Sequence, residues 1–398
     1  MGIDEAITCA MGTSSINYEE YTVGWVCALP IEMAAARAML DETHDLTRPH
    51  NDNNAYYLGR IGVHNVVIAC LPQGEIGTTS AAAVAVQMLS TFKSIKFGLM
   101  VGIGGGVPSK TNDIRLGDVV ISKPTKAFGG VVQYDCGKSR EGGLYERTGS
   151  LCSPPNVLRA ALAKMESTHY MEESKIAEYL ADMVKKHPKM SPDYIWHASL
   201  QDTLFEAGYD HVGNNDNTCV NCDPSKILDR PPRDRLVIHY GLIASGNQVM
   251  MDALRRDEIS NDLGGVLCFE MEAAGLMNNF PCVVVRGICD YADSHKNKQW
   301  QKYAAAVAAA SAKEILSYIS AKEILNSIPA KEVAEVTSML GSANLSLLPS
   351  SNSLVFIPSV MLLSIAPQFS LEDQPYFACS KLIISPSSPK QIIVSLLA

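Results

Sequence analysis

The sequence predicts an α/β fold, a central mixed β-sheet flanked by helices, with a polar insertion and a poorly ordered C-terminal tail. Three observations carry this. From Tyr21 onward, short β-branched runs alternate with longer helical ones, the pattern of strands crossing over through helices. Several of the strand runs are apolar throughout, as strands covered on both faces must be. The texture then changes twice, to polar near 153 and to charge-free between Val336 and Leu371.

The elements follow in order. YTVGWVCAL reads as a buried strand, and PIEMAAARAMLDE as a helix with Pro30 near its start, where a missing N–H costs nothing. HNVVIACL is a second strand. The loop PQGEIGTTS leads into AAAVAVQMLSTF, an alanine-rich helix entered through Thr and Ser residues able to cap it. KFGLMVGIGGG is a buried strand running into a glycine turn, and GDVVISK is a further strand. PCVVVRGICDYAD is a strand ending in an acidic loop, and QWQKYAAAVAAASAKEILSYI is the closing helix.

The domain reading is a leader over 1–18, one domain over 19–328 and a tail over 329–398. Residues 153–235 are polar, contain the helical SKIAEYLADMVKKH and end in the turn-like DRPPRDR. They read as an insertion, and the sequence leaves open whether it walls the site. SAKEIL occurs at 311–316 and again at 320–325, one short duplication. The apolar piece LVFIPSVMLLSIA is too short to span a bilayer and contains Pro358.

Composition bounds the partners. At 398 residues the chain can bury a large core, and its formal charge of -9 excludes nucleic acid or an anionic membrane as the main partner. No signal-peptide pattern opens the chain, so a cytoplasmic protein is expected. The eleven cysteines are odd in number and scattered. Cys27, Cys70, Cys282 and Cys289 sit in apolar runs and read as buried thiols. The pair Cys219 and Cys222 forms a CxxC without a second ligand pair nearby. It reads as a polar loop, and no metal is expected.

Three acids stand at strand ends: Glu32 in CALPIEM, Glu272 opening a helix in CFEMEAAGLM, and Asp290 in VVVRGICDYAD. Each alone has an ordinary explanation, since acids suit first helical turns and loops. One after each of three strands of a single sheet is a candidate site.

GLIASGNQVM, EMEAAG and VVVRGICDYAD together resemble the nucleoside phosphorylase and nucleosidase superfamily, the purine and uridine phosphorylase type. The likeness runs from about Tyr21 to Ile319 and extends to methylthioadenosine/adenosylhomocysteine nucleosidase and to fungal proteins carrying this domain. It implies a nucleoside phosphorylase-like fold and a purine nucleoside or nucleotide as the small-molecule partner. By the resemblance Asp290 protonates or hydrogen-bonds N7 of the purine, and Glu272 grips the ribose hydroxyls. Met271 packs on the sugar, Glu32 orients and deprotonates water, and Val249 and Met250 line the base pocket. A homo-oligomer is expected, because a neighbouring subunit usually completes the 5′ pocket in this superfamily.

The chemistry explains the acids. Breaking a C–N ribosyl bond places positive charge on the sugar and negative charge on the departing base. An acid at the base, a carboxylate beside the ribose and a second one activating the nucleophile each stabilise that state. Asp290 is then expected to hold a proton through burial.

Phosphorolysis would instead require cations for a phosphate dianion. CALPIEM has none, and in LMVGIGGG Met100 and Ile103 stand where family phosphorylases carry Arg and Ser. Hydrolysis is therefore the expected reaction. Phosphorolysis to ribose 1-phosphate is the alternative, with inorganic phosphate as co-substrate in that case alone and no other cofactor. A non-catalytic nucleotide-binding module is the third reading. Backbone N–H groups of Gly102, Ile103 and Gly104 are expected to cradle ribose or phosphate. His239 and His295 are expected to be satisfied loop or core histidines.

Overall fold

A computed structural model describes residues 17–45, 52–143, 145–213 and 218–343, together with four three-residue strands further on. The leader up to residue 16 and most of the tail after 343, including much of LVFIPSVMLLSIA, lie outside the described residues.

The chain begins with β1 (Val23–Cys27) and α1 (Pro30–Ala38), then β2 (Glu42–His44), β3 (Tyr56–Ile61) and β4 (His64–Cys70). Next come α2 (Thr78–Thr91), β5 (Phe97–Gly106), β6 (Val119–Ser122), β7 (Val131–Gln133), β8 (Gly137–Ser139) and β9 (Tyr145–Arg147). Three helices follow, α3 (Asn156–His169), α4 (Ile176–Lys186) and α5 (Ser191–Tyr194). The body closes with β10 (Ile238–Ser245), α6 (Ala253–Asp262), β11 (Val266–Glu270), β12 (Cys282–Asp290), α7 (Gln301–Ser317), α8 (Ala321–Leu325) and α9 (Ala330–Ala343).

Ten strands form one mixed sheet in the order β11-β10-β6-β12-β5-β1-β4-β3-β2, with β7 on β10. Strands β4, β1, β5 and β12 run parallel, which places their C-terminal ends at one edge. Strand β11 pairs with β10 on one side and returns antiparallel to β5 through Cys268 and Phe269. The sheet thus curls back on itself, and the end of β11 comes beside the ends of β5 and β12. β1 and β12 are apolar and buried along nearly their whole length, as the sequence predicts for strands covered on both faces.

Two expectations about local structure are corrected. The GIGGG run is strand, since β5 continues to Gly106 and pairs with β12 as far as Gly105. The helix α2 starts at Thr78 behind Gly77, which holds φ 94° and offers no side-chain cap. Its Thr and Ser residues therefore lie inside the helix rather than at its cap.

The stretch 153–235 is more than a polar appendage. Leu158, Ala161, Leu162 and Met165 of α3 and Met183 of α4 are buried in one cluster with the alanines of α7. Glu314 of α7, 1% exposed, accepts from Ser174 Oγ at 2.7 Å and Lys175 N at 3.0 Å, and His169 Nε2 lies 2.9 Å away. A buried carboxylate needs such partners, so it fixes the docking of α3 and α4.

The compact unit also runs past 328, as far as Met339. Ala330 is fully buried and its N–H donates to Ile95 O at 2.7 Å. The second unit, Leu340–Ala398, contains two antiparallel strand pairs, Val355–Ile357 with Val360–Leu362 and Leu382–Ile384 with Ile392–Val394. No described helix is long and apolar enough to cross a membrane.

Candidate active site

A cavity of about 240 Å³ opens where β1, β5, β11 and β12 end. Glu32, Glu272 and Asp290 all line it, with Met271, Val249, Met250, Ile103 and Gly104. Of the catalytic and substrate-binding residues named from the sequence, Gly102 alone is not on the wall. No lining residue among those described comes from 153–235.

Glu32 stands in the first turn of α1 and is 3% exposed. Its Oε2 accepts from the backbone N–H groups of Ala28 and Leu29 at 2.8 and 2.9 Å, and its Oε1 from that of Ile103 at 2.8 Å. The Ile103 N–H expected to cradle a ligand is thus committed to this carboxylate. Gly102 lies behind it: a Cβ there would come within 2.4 Å of Glu32 Oε1 and 2.5 Å of Arg286 Nη1. Its lack of a side chain makes room for the charges rather than for substrate. Burial pushes the Glu32 carboxyl above its ordinary range, against the pull of Arg286 and the three N–H donors.

Glu272 precedes a single 3₁₀ turn, Ala273–Gly275, where the sequence predicted a helix. Glu270 organises that turn by accepting from the N–H groups of Glu272 and Ala273 at 3.1 and 3.0 Å. Arg286, 1% exposed in the middle of β12, pairs with Glu270 and with Glu272 Oε2 at 3.1 Å, and donates to Ile103 O at 3.3 Å. Burial raises the Glu272 carboxyl to about 7; Arg286 opposes this, while Glu270 and Glu32 reinforce it.

Asp290 ends β12. Its Oδ1 accepts from Ala292 N at 2.8 Å, and Lys296 Nζ lies 2.9 Å from the same oxygen. Ala292 holds φ 52°, a left-handed conformation that turns the chain sharply after the acid. The lone buried acid expected from sequence is therefore half of an ion pair. Gly105 on β5 leaves room for it, since a Cβ there would lie 2.7 Å from Asp290 Oδ1.

Sequence reasoning missed Glu270, Arg286 and Lys296. Arg286 had a legible signal, because a lone cation in the apolar run VVVRGIC must find buried carboxylates. Glu270 stands two residues before Glu272, but nothing in the sequence says that it would point inward. Lys296 lies in a loop whose path only the fold decides.

His239 is satisfied as expected, its Nε2 lying 2.9 Å from Asp118 Oδ2. His295 is not: its Nε2 is buried and has no hydrogen-bond partner. Of the four cysteines read as buried thiols, Cys27, Cys282 and Cys289 are buried, whereas Cys70 is half-exposed.

The curled end of the sheet thus gathers four carboxylates and an arginine at its strand ends. Residues 22–321 match the phosphorylase superfamily, and the chain belongs to that family. It is similar to a nucleotide-binding leucine-rich repeat (NLR)-like protein of Hyaloscypha variabilis, 46% identical over 78% of this chain and 30% of that one. It is also similar to a 5′-methylthioadenosine/S-adenosylhomocysteine nucleosidase of Mycobacterium bovis, 24% identical over 74% of this chain and 95% of that protein. An ATP nucleosidase of Escherichia coli, Cap17, is 24% identical over 73% of this chain and 50% of its own length. The chain thus spans about a third of the first relative and half of the last.

Proposed function

We propose that this chain hydrolyses the N-glycosidic bond of a purine nucleoside or nucleotide. The convergence of Glu32, Glu272 and Asp290 on one cavity carries the reading. Two relatives bearing nucleosidase names support it.

In this mechanism Glu32 is the base that activates water. Each of its oxygens can accept two hydrogen bonds, and Oε1 takes one from the Ile103 backbone, leaving capacity for a water. Its raised carboxyl makes it a stronger base than an exposed glutamate. Glu272 holds the ribose hydroxyls and stabilises positive charge as the C–N bond lengthens. At the departing base the Asp290–Lys296 pair is the acid: the proton comes from the Lys296 ammonium, passes through the Asp290 carboxylate, and neutralises the negative charge that develops on the base.

Hydrolysis is favoured over phosphorolysis by the charges. The cations on the cavity wall are Arg286, held between Glu270 and Glu272, and Lys296, held by Asp290. Neither is at liberty to take a phosphate dianion as its main partner.

The test is base release from adenosine, inosine, guanosine, methylthioadenosine and ATP by the purified protein, with and without phosphate. Release that ignores phosphate and falls by about 10²–10⁴-fold in Glu32→Gln, with the fold intact by circular dichroism, is expected. Release that requires phosphate and yields ribose 1-phosphate would overturn the hydrolytic reading.

A further inference from the structure

The CxxC pair that the sequence reads as a polar loop has company in the fold. His211 and His295, eight residues before Cys219 and 73 residues after Cys222, come together with Cys222, and Cys219 lies beside the His211 ring. One ligand atom each from His211, Cys222 and His295 lie within 4.8 Å of one another. Cys222 Sγ is 3.4 Å, and Cys219 Sγ 3.9 Å, from His211 Nδ1. Zn–S and Zn–N bonds of about 2.3 and 2.0–2.1 Å at tetrahedral angles put neighbouring S and N ligands about 3.6 Å apart, between those two distances.

We propose that His211, Cys219, Cys222 and His295 form a tetrahedral zinc site that fastens His211 and the Cys219–Cys222 turn to the loop following Asp290.

A second observation is independent of the clustering. The His295 side chain is 6% exposed, and its Nε2 is buried without a hydrogen-bond partner. A buried ring nitrogen left unpaired is costly, and a metal bond removes that cost. The other ring nitrogen, Nδ1, lies 3.9 Å from Asp293 Oδ2, on the side where a metal-ligating histidine usually meets a carboxylate.

The ring is also held in place. Phe205 stacks on it at 4.0 Å between centroids and 12° between planes, and the edge of the His211 ring meets it at 5.6 Å. The two segments are joined again where His211 N donates to Ser294 Oγ at 3.0 Å. Between the cysteines, Cys222 N donates to Cys219 O at 3.1 Å, a tight turn that brings both thiols to one side. Two imidazoles and two thiols suit zinc, and four protein ligands close the sphere, so the role is structural. The site lies outside the cavity and does not depend on the reaction proposed above.

Its consequence for the active site is positional. His295 precedes Lys296, the partner of Asp290, so the metal would set where that ammonium stands.

The experiment measures zinc in the full-length protein, as purified and after incubation with zinc sulfate and desalting. It is paired with the absorption spectrum of the protein loaded with cobalt(II). About one metal per chain is expected, together with cobalt bands of tetrahedral thiolate coordination. Cys222→Ser and His295→Ala should lower zinc affinity by at least tenfold and alter those bands. Because either variant could fail to fold, the wild type supplies a separate arm. Removing its metal with a chelator should increase susceptibility to proteolysis within 205–227, and zinc should restore protection. Wild-type protein that retains no zinc after incubation would overturn the proposal. So would a cobalt spectrum unchanged in Cys222→Ser, or a Cys219–Cys222 disulfide in protein purified under reducing conditions with zinc present.

Discussion

Glu32 and Glu272 are buried within reach of each other's charge, with Arg286 compensating both. Burial disfavours the carboxylate, so both groups release their protons above the usual glutamate value of about 4.3. The sign for activity follows. The mechanism uses both as carboxylates, and lowering the pH through their raised values protonates them and removes activity. The acidic limb of the kcat/KM profile should therefore lie near neutrality, with Glu272 at about 7, rather than near 4 to 5. A pH–rate profile checks this, and a limb below about 5 would refute the roles given to these two residues. The placement of the three acids was legible in the sequence because each follows a strand, Glu272 and Asp290 within motifs that carry the family resemblance. Their compensation by Arg286 and Lys296 was not, because it depends on which loops face one another.

At the scale of elements, α7 decides how the flanking helices sit. Its alanines present a buried face, and Glu314 on it accepts hydrogen bonds from the segment between α3 and α4. Glu314→Ala would leave the Ser174 hydroxyl and the Lys175 N–H without their acceptor. A cost of about 1–3 kcal/mol is expected, read as a lower Tm, with base release little changed because Glu314 is remote from the cavity wall. An unchanged Tm would show that α3 and α4 dock by apolar packing alone. The helical character of 156–186 was partly legible in SKIAEYLADMVKKH. Its burial was not, because the polar residues around it dominate the composition while a few spaced apolar ones make the contact.

For the whole body, the boundary near 328 is a physical question about Ala330. It is fully buried, belongs to the cluster with Phe92 and Ile95, and hydrogen-bonds Ile95 O. A chain ending at 328 should therefore unfold at a lower temperature than one ending at 343. The difference should be about 1–2 kcal/mol, from one hydrogen bond and a lost apolar contact. Calorimetry on the two truncations decides this, and equal stabilities would restore the earlier boundary. The charge-free texture begins at Val336, close to where the unit ends at Met339, whereas 328 falls before the buried Ala330.

The repeated hexapeptide SAKEIL separates what sequence and tertiary structure each decide. Both copies are helical, in α7 and α8, as their residues favour. In the first copy Glu314 and Leu316 are buried in the core. In the second, Ser320 and Glu323 form an exposed capping box and Leu325 is 77% exposed. Local propensity and hydrophobic pattern were enough to determine the α/β class, the buried strands β1, β4, β5, β6 and β12 and the acids near strand ends, because those signals act over a few residues. The pairing of Arg286 with two glutamates from another strand end, the closing of the Asp290 loop by Lys296 and the meeting of His295 with Cys222 are set by how separate segments face one another. Only the curl of the sheet and the path of its loops bring them within bonding distance, and no local preference encodes that path.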